Sequence, residues 1–114
     1  MIRIKIRHIL FLVAVFLFFS VTSAYAHRLN IFAKVDKGVV HVESYYSGGA
    51  KCKACKVEVF DPAGGKKLKD GLTDDNGVFL FKIENPSSLK IVVSDRMGHR
   101  GEHLIDKKDI LNAP

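Results

Sequence analysis

The sequence predicts one all-β domain, a single antiparallel β-sandwich of about seven short strands, preceded by the helix of a signal peptide. Three observations favour this fold class. The longest apolar run is confined to the N-terminus, apolar and polar residues alternate through much of the remainder, and turn residues recur at short intervals without a helical period. The 88 residues that follow the N-terminal segment suffice for one domain with one modest core.

Residues 1–26 have the three parts of a secretory signal peptide. Three basic residues and no acidic one begin the segment, an apolar run covers residues 9–19, and Ala24 and Ala26 form an A-x-A cleavage site. The run is shorter than the roughly 20 apolar residues that a membrane span needs. We therefore expect cleavage after Ala26, a mature chain that starts at His27, and a periplasmic or secreted location.

Removal of this segment lowers the net charge from +6 to +3, because 15 basic and 12 acidic side chains remain. The remaining lysines are scattered singly or in pairs, and an exported domain of this charge is not expected to bind nucleic acid. Nothing after His27 is long or apolar enough to span a membrane. The polar residues 106–114 are expected to form a frayed or weakly helical C-terminal tail.

The first two predicted strands form a hairpin. Residues 29–35 are apolar at alternate positions, and residues 39–46 place His41 and Glu43 on the face opposite to two valines. The turn at residues 36–38 ends in glycine, which takes a positive φ at little cost.

The remaining five strands are shorter and are separated by clusters of Gly, Pro, Asn and Asp. The lysines on the second of them are typical of an edge strand. These strands are predicted over residues 56–60, 66–72, 78–83, 89–94 and 99–105. The sandwich is therefore expected to span residues 27–105.

Residues 71–81 resemble the G-x-T-D-x-x-G-x-F-x-F signature of transthyretin-like, carboxypeptidase-regulatory-like sandwiches. The Asp and Asn of this stretch suit a turn, Gly77 suits a positive φ, and Phe79 and Phe81 are expected to anchor one face. This resemblance implies a fold and no activity.

Two further regions narrow the resemblance. One is H-R-L-N-I-F-A at residues 27–33 with V-H-V-E-S-Y-Y-S-G-G at 40–49, and the other is M-G-H-R-G-E-H at 97–103. Their order and spacing are similar to those of the small exported accessory subunit of energy-coupling-factor nickel/cobalt importers, over nearly all of residues 27–105. The resemblance implies a domain outside the membrane that assists delivery of Ni²⁺ or Co²⁺ to the membrane subunits. The chain departs from that pattern at residues 52–55, where a cysteine pair stands in place of an ordinary strand-entry segment.

Four histidines follow the predicted cleavage site and are the candidate metal ligands. Cleavage would leave a free α-amino group on His27, which could chelate one divalent ion together with its own imidazole. An imidazole from His99 or His103 would complete a three-nitrogen site, and His41 is a further candidate. Imidazole nitrogen suits Ni, Co, Cu and Zn, so these ligands do not select the metal. The resemblance favours nickel or cobalt, and a terminal histidine also suits copper.

Cys52 and Cys55 are the only two cysteines. In an oxidising compartment such a pair is first a candidate disulfide, with thiolate metal binding and redox exchange as the alternatives. Redox exchange usually places C-x-x-C at the start of a helix, and no helix is predicted here.

No catalytic constellation is evident. The serines lie in no recognisable nucleophile motif, and the acidic pair Asp74-Asp75 suits a turn. We therefore expect a non-enzymatic protein of metal uptake, whose candidate partners are the membrane subunits of a metal importer. Two alternatives stay open, namely a structural or interaction sandwich without a metal role and a periplasmic copper-binding protein that uses His27.

Overall fold

The computed structural model describes residues 5–21 and 28–113. Two helices and seven strands make up this part of the chain. In chain order they are α1 (Ile6–Val21), β1 (Leu29–Asp36), β2 (Val39–Tyr46), β3 (Lys56–Phe60), β4 (Lys67–Leu72), β5 (Val78–Lys82), β6 (Leu89–Ser94), β7 (Arg100–Ile105) and α2 (Lys107–Leu111).

The strands form two antiparallel sheets, one of three strands in the order β1-β2-β5 and one of four strands in the order β4-β3-β6-β7. The prediction of an all-β antiparallel sandwich of seven strands is confirmed. Four strand ends differ by one residue from the predicted limits, and β4 lies at a sheet edge as its lysines indicate.

The core lies between the two sheets and consists mainly of β-branched residues from alternate positions. Each of these side chains contributes roughly 1.5–3 kcal/mol when it is fully buried. The fully buried aliphatic residues of this core are Val40, Val42, Val57, Val59, Ile91 and Val93, and Val92 is equally buried outside the core cluster. Phe79 and Phe81 pack against this core, as the resemblance to the sandwich signature implies.

The β1–β2 hairpin turns through two residues with positive φ, Lys37 at 51° and Gly38 at 79°. Consecutive positive φ values are those of a type I′ turn, whose twist matches that of the flanking strands. The sequence pattern predicts a positive φ for Gly38 alone. The structure shows that Lys37 also has a positive φ.

Strands β1 and β7 meet along one side of the sandwich, where a parallel bridge joins Arg28 to Arg100. Gly101 permits this approach, because a Cβ at that position would collide with the backbone oxygen of Leu29. The start of β1 therefore lies beside the start of β7.

The two helices lie at the ends of the described chain. Helix α1 covers the predicted apolar run, and the predicted cleavage site and His27 lie outside the described residues. Within residues 5–21 and 28–113, no helix is long and apolar enough to cross a membrane. In the polar tail, α2 buries Ile110 against the core.

Candidate functional site

The turn between β6 and β7 is built around the carboxylate of Asp95. Its Oδ1 accepts the backbone N–H groups of Met97 at 2.9 Å and His99 at 2.8 Å. The N–H of Asp95 donates to the carbonyl oxygen of His99 at 3.0 Å, and Gly98 adopts a φ of 91°. Aspartate suits this position because its short side chain reaches backbone N–H groups two and four residues further on.

The second carboxylate oxygen of Asp95 is hydrogen-bonded to two side chains. Oδ2 lies 2.7 Å from the hydroxyl of Tyr46, which donates to it, and 2.7 Å from Nδ1 of His99. Burial alone would raise the pKa of Asp95, but the hydrogen bonds from Tyr46 and His99 outweigh burial and hold that pKa at about 2. Because Asp95 is ionised and can only accept, the ring N–H that faces it is on Nδ1 of His99, and Nε2 is the nitrogen through which the neutral ring would bind a metal ion.

Tyr46 reaches this turn from the end of β2. It follows Val40, Val42 and Ser44 at alternate positions on the inward face of that strand. Its ring meets the ring of His99 edge-on, with centroids 5.2 Å apart and planes at 80°. The hydrogen bond to Asp95, together with burial, raises the pKa of Tyr46, so the phenol stays neutral and donates its proton.

This arrangement suits His99 for binding a metal ion. Histidines that bind metals usually donate their second ring N–H to a carboxylate, which fixes the tautomer and raises the basicity of the ligating nitrogen. Asp95 supplies that carboxylate, and Tyr46 holds it in place from the other sheet.

The other candidate histidines lie elsewhere. His41 is on the outer face of the three-stranded sheet, opposite Lys34 of β1 and Leu80 of β5. His103 is half-buried in β7, opposite Ile91 of β6. Four residues of extended strand separate it from His99, a Cα distance of about 13 Å. Across the described ranges, no three His, Cys, Asp or Glu side chains are grouped so that they could hold a metal ion.

Cys52 and Cys55 form a disulfide in the turn that precedes β3. Both cysteines are buried, and Ala54 between them has a positive φ of 50°. The hydroxyl of Thr73 spans the turn, because it donates to the carbonyl oxygen of Cys52 and accepts the N–H of Cys55. The Sγ of Cys52 lies 3.6 Å from the Tyr46 hydroxyl oxygen, which connects the disulfide to the Asp95 turn.

A cleft of about 840 Å³ opens beside these residues. Tyr46 and Asp95 form part of its wall, together with the exposed Met97. Lys53 and Lys56, which flank Cys55, also line the cleft, so it is partly cationic. The size lies within the range of small-molecule sites.

Neither Tyr46 nor Asp95 is among the site residues that the sequence predicts. Two signals could have identified them. Asp95 and Gly98 repeat the D-x-x-G pattern of Asp74 and Gly77, which predicts a carboxylate at the centre of the turn. Tyr46 has the strand parity of the buried valines of β2, which predicts an inward direction.

Comparison with known proteins finds a relative in Haemophilus influenzae. The chain is 36% identical over 92 residues to a Haemophilus influenzae protein described as uncharacterized. The match covers 79% of this chain and 57% of the length of that protein. No family model matches the sequence. No solved structure matches it either. A match of this length includes most of residues 27–105, which form the sandwich. The chain spans little more than half the length of the relative.

Proposed function

We propose that this protein is an exported, non-catalytic, metal-binding accessory component of nickel or cobalt uptake, and that His99 is its metal ligand within the sandwich. The observation that carries the proposal is the 2.7 Å contact between His99 Nδ1 and the ionised Asp95. That contact fixes the tautomer in which Nε2 would bind the metal ion and raises the basicity of that nitrogen. The similarity of residues 97–103 to the nickel/cobalt accessory subunits agrees with this role.

The bridge between Arg28 and Arg100 supports a second ligand at the start of the mature chain. His27 precedes Arg28 in sequence as His99 precedes Arg100. Arg28 lies beside Arg100, the residue that follows His99, and consecutive Cα atoms are about 3.8 Å apart, so we propose His27 as the second ligand of the same ion. After cleavage, the α-amino group and imidazole of His27 would complete a three-nitrogen site with His99. His41 and His103 are not needed for this site.

The predicted signal peptide supports a periplasmic or secreted location, where the domain would meet metal ions before they reach a membrane importer. The membrane subunits of such an importer are the partners that we propose. The protein would bind its cargo without transforming it, because amine and imidazole nitrogens coordinate Ni²⁺ or Co²⁺ without changing the oxidation state of the ion.

Calorimetric titration with Ni²⁺, Co²⁺ and Cu²⁺ tests the proposal on protein that starts at His27. We expect H99A to weaken Ni²⁺ binding by at least about tenfold, and D95N to weaken it by about 10- to 100-fold, as for other outer-shell partners of metal ligands. H41A is the matched control and should leave the affinity unchanged. One extra residue before His27 should lower the affinity, because the terminal amine would be lost.

Three outcomes would contradict the proposal. Equal affinity of H99A and the wild type would exclude His99 as the ligand. Binding of Cu²⁺ without measurable binding of Ni²⁺ or Co²⁺ would favour the copper-binding alternative. Dissociation constants weaker than about 1 mM for all three metals would favour a structural or interaction sandwich.

A further inference from the structure

We propose that formation of the Cys52–Cys55 disulfide assembles the His99 site through Tyr46, so that the protein gains its full metal affinity only after both cysteines are oxidised. This inference rests on the proposed function, because it concerns the affinity of the same histidine. The role of Tyr46 is that of a positioning residue, since it acts on the metal ligand through Asp95.

An unbroken series of contacts joins the disulfide to the histidine. Cys52 Sγ lies 3.6 Å from the oxygen of Tyr46, whose hydroxyl donates to Asp95 Oδ2 at 2.7 Å. The same carboxylate oxygen lies 2.7 Å from His99 Nδ1. A disulfide sulfur carries no proton, so in the oxidised protein Tyr46 is a donor to Asp95 and receives no hydrogen bond from Cys52.

Reduction would change both the chemistry and the space beside Tyr46. A thiol at Cys52 gains an S–H donor that faces the Tyr46 oxygen. The two sulfurs would also move from a bonded separation of about 2 Å to non-bonded contact, which requires more room. Either change would shift the phenol and with it the hydrogen bond to Asp95.

The turn that carries the cysteines has little freedom to absorb this change. Cys52 and Cys55 are 0% and 2% exposed, so the sulfurs lie in the packed interior. Thr73 is bonded to a backbone group of each cysteine, and the N–H of Cys52 donates to the carbonyl oxygen of Ser44 at 3.0 Å. Because the backbone is held at both ends, the side chains must move, and Tyr46 is the polar side chain against Cys52.

The redox step is an ordinary thiol–disulfide exchange. The thiols of Cys52 and Cys55 lose two protons and two electrons as the S–S bond forms, and a disulfide oxidant accepts them as its own S–S bond breaks into two thiols. Such oxidants act in exported compartments, whereas cytosolic thiols stay reduced. A precursor still in the cytosol would therefore hold metal weakly, and the exported domain would bind it after oxidation.

The first test is a double-mutant cycle on Ni²⁺ affinity, measured by calorimetry with the mature chain. We expect C52S/C55S to raise the dissociation constant about tenfold in the wild-type background. In the Y46F background the same pair of substitutions should change it by less than about twofold, because the contact that transmits the effect is absent. Equal effects in the two backgrounds, or no effect in the wild type, would overturn the proposal.

The second test needs no bound metal, so it separates this inference from the proposed function. The ¹⁵N NMR shifts of the His99 imidazole report the Nδ1–H tautomer in the metal-free protein. They should change on reduction in the wild type and stay constant in Y46F. A change on reduction without any metal binding would uphold the coupling and reject the proposed function. Metal binding with an unchanged His99 spectrum would overturn the coupling.

A third measurement exploits reciprocity, because two coupled equilibria shift each other by the same factor. If oxidation strengthens Ni²⁺ binding tenfold, saturating Ni²⁺ must lower the reduction potential of the disulfide by about 30 mV. The potential of H99A should not respond to Ni²⁺. Since this measurement uses wild-type cysteines, it decides the matter even where the C52S/C55S variant folds poorly, and an unchanged wild-type potential would overturn the proposal.

Discussion

The same five-residue turn occurs twice in the molecule, over residues 74–78 and 95–99. In each turn the first residue is Asp, and its Oδ1 accepts the N–H groups of the third and fifth residues at 2.8–2.9 Å. In each turn the N–H of that Asp donates to the carbonyl oxygen of the fifth residue. The fourth residue of both turns is a glycine with positive φ, 74° in one and 91° in the other. The two backbones are therefore closely similar.

The surroundings of the two turns differ. Gly77 of the first turn packs closely against β2, and its carbonyl oxygen accepts the N–H of Ser44. The carboxylate of Asp74 faces solvent. Gly98 of the second turn has open space around it, while Asp95 is mostly buried and holds His99. The backbone of the first turn is thus hydrogen-bonded to β2, whereas the carboxylate of the second turn fixes the orientation of the His99 ring. The turn supplies the geometry, and the residues packed against it decide whether a site forms.

The largest difference between the turns should appear when each glycine is replaced by alanine. Positive φ costs a non-glycine residue roughly 1–2 kcal/mol, and this is the whole cost that we expect for Gly98→Ala. A Cβ on Gly77 would in addition lie 2.5 Å from the backbone oxygen of Ser44, so we expect Gly77→Ala to lower the free energy of unfolding by about 4 kcal/mol. Urea denaturation of both variants measures the difference. Equal costs would show that the first turn does not anchor the sheet.

The next largest difference should follow removal of each carboxylate. Asp95→Ala leaves four donors without their acceptor, two of them on the side chains of Tyr46 and His99. We expect it to cost about 3 kcal/mol, against about 1.5 kcal/mol for Asp74→Ala, which removes two exposed backbone contacts. Denaturation at neutral pH measures both values. A larger cost for Asp74→Ala would mean that the bonds to Tyr46 and His99 contribute little.

The sequence pattern predicted the sandwich because its signals are local. Alternation over residues 39–46 gives the inward face of β2, and the lysines of β4 give an edge strand. The second turn could be predicted in the same way, from the spacing of Asp95 and Gly98. These elements depend only on residues close together in the chain.

The site depends on distant residues. Tyr46 and Asp95 are 49 residues apart, and they meet because the end of β2 packs over the turn that starts β7 in the opposite sheet. A single sequence shows which face each residue occupies, but it does not show how the two sheets are aligned. For the same reason the sequence left His103 and His41 as candidate ligands beside His99, although neither lies in a turn of this kind.

Moving the histidine from the second turn to the first tests whether the turn conformation alone is enough for an imidazole to bind the metal ion. V78H in an H99A background places histidine at the fifth position of the first turn. We expect no recovery, so that the dissociation constant for Ni²⁺ stays about tenfold above the wild-type value, a difference of about 1.4 kcal/mol. The reason is that Asp74 lies in solvent, where, among the residues that the structure describes, its carboxylate accepts backbone N–H groups and no tyrosine hydroxyl. Restored affinity would show that Tyr46 is dispensable.

The smallest effect should come from Ser44, whose backbone contacts the first turn. Its hydroxyl is fully buried, and within residues 5–21 and 28–113 it has no hydrogen-bond partner. Burial of an unpaired hydroxyl opposes folding, so Ser44→Ala should leave the free energy of unfolding unchanged or raise it by up to about 1 kcal/mol. Thr73→Val is the matched control, because Thr73 is also buried but its hydroxyl is bonded to a backbone group of each cysteine, and its loss should cost about 2 kcal/mol. A cost above about 1 kcal/mol for Ser44→Ala would reveal a hydrogen-bond partner of this hydroxyl in solution. An ordered water on the inward face of β2, which Ser44 shares with Tyr46, would be such a partner.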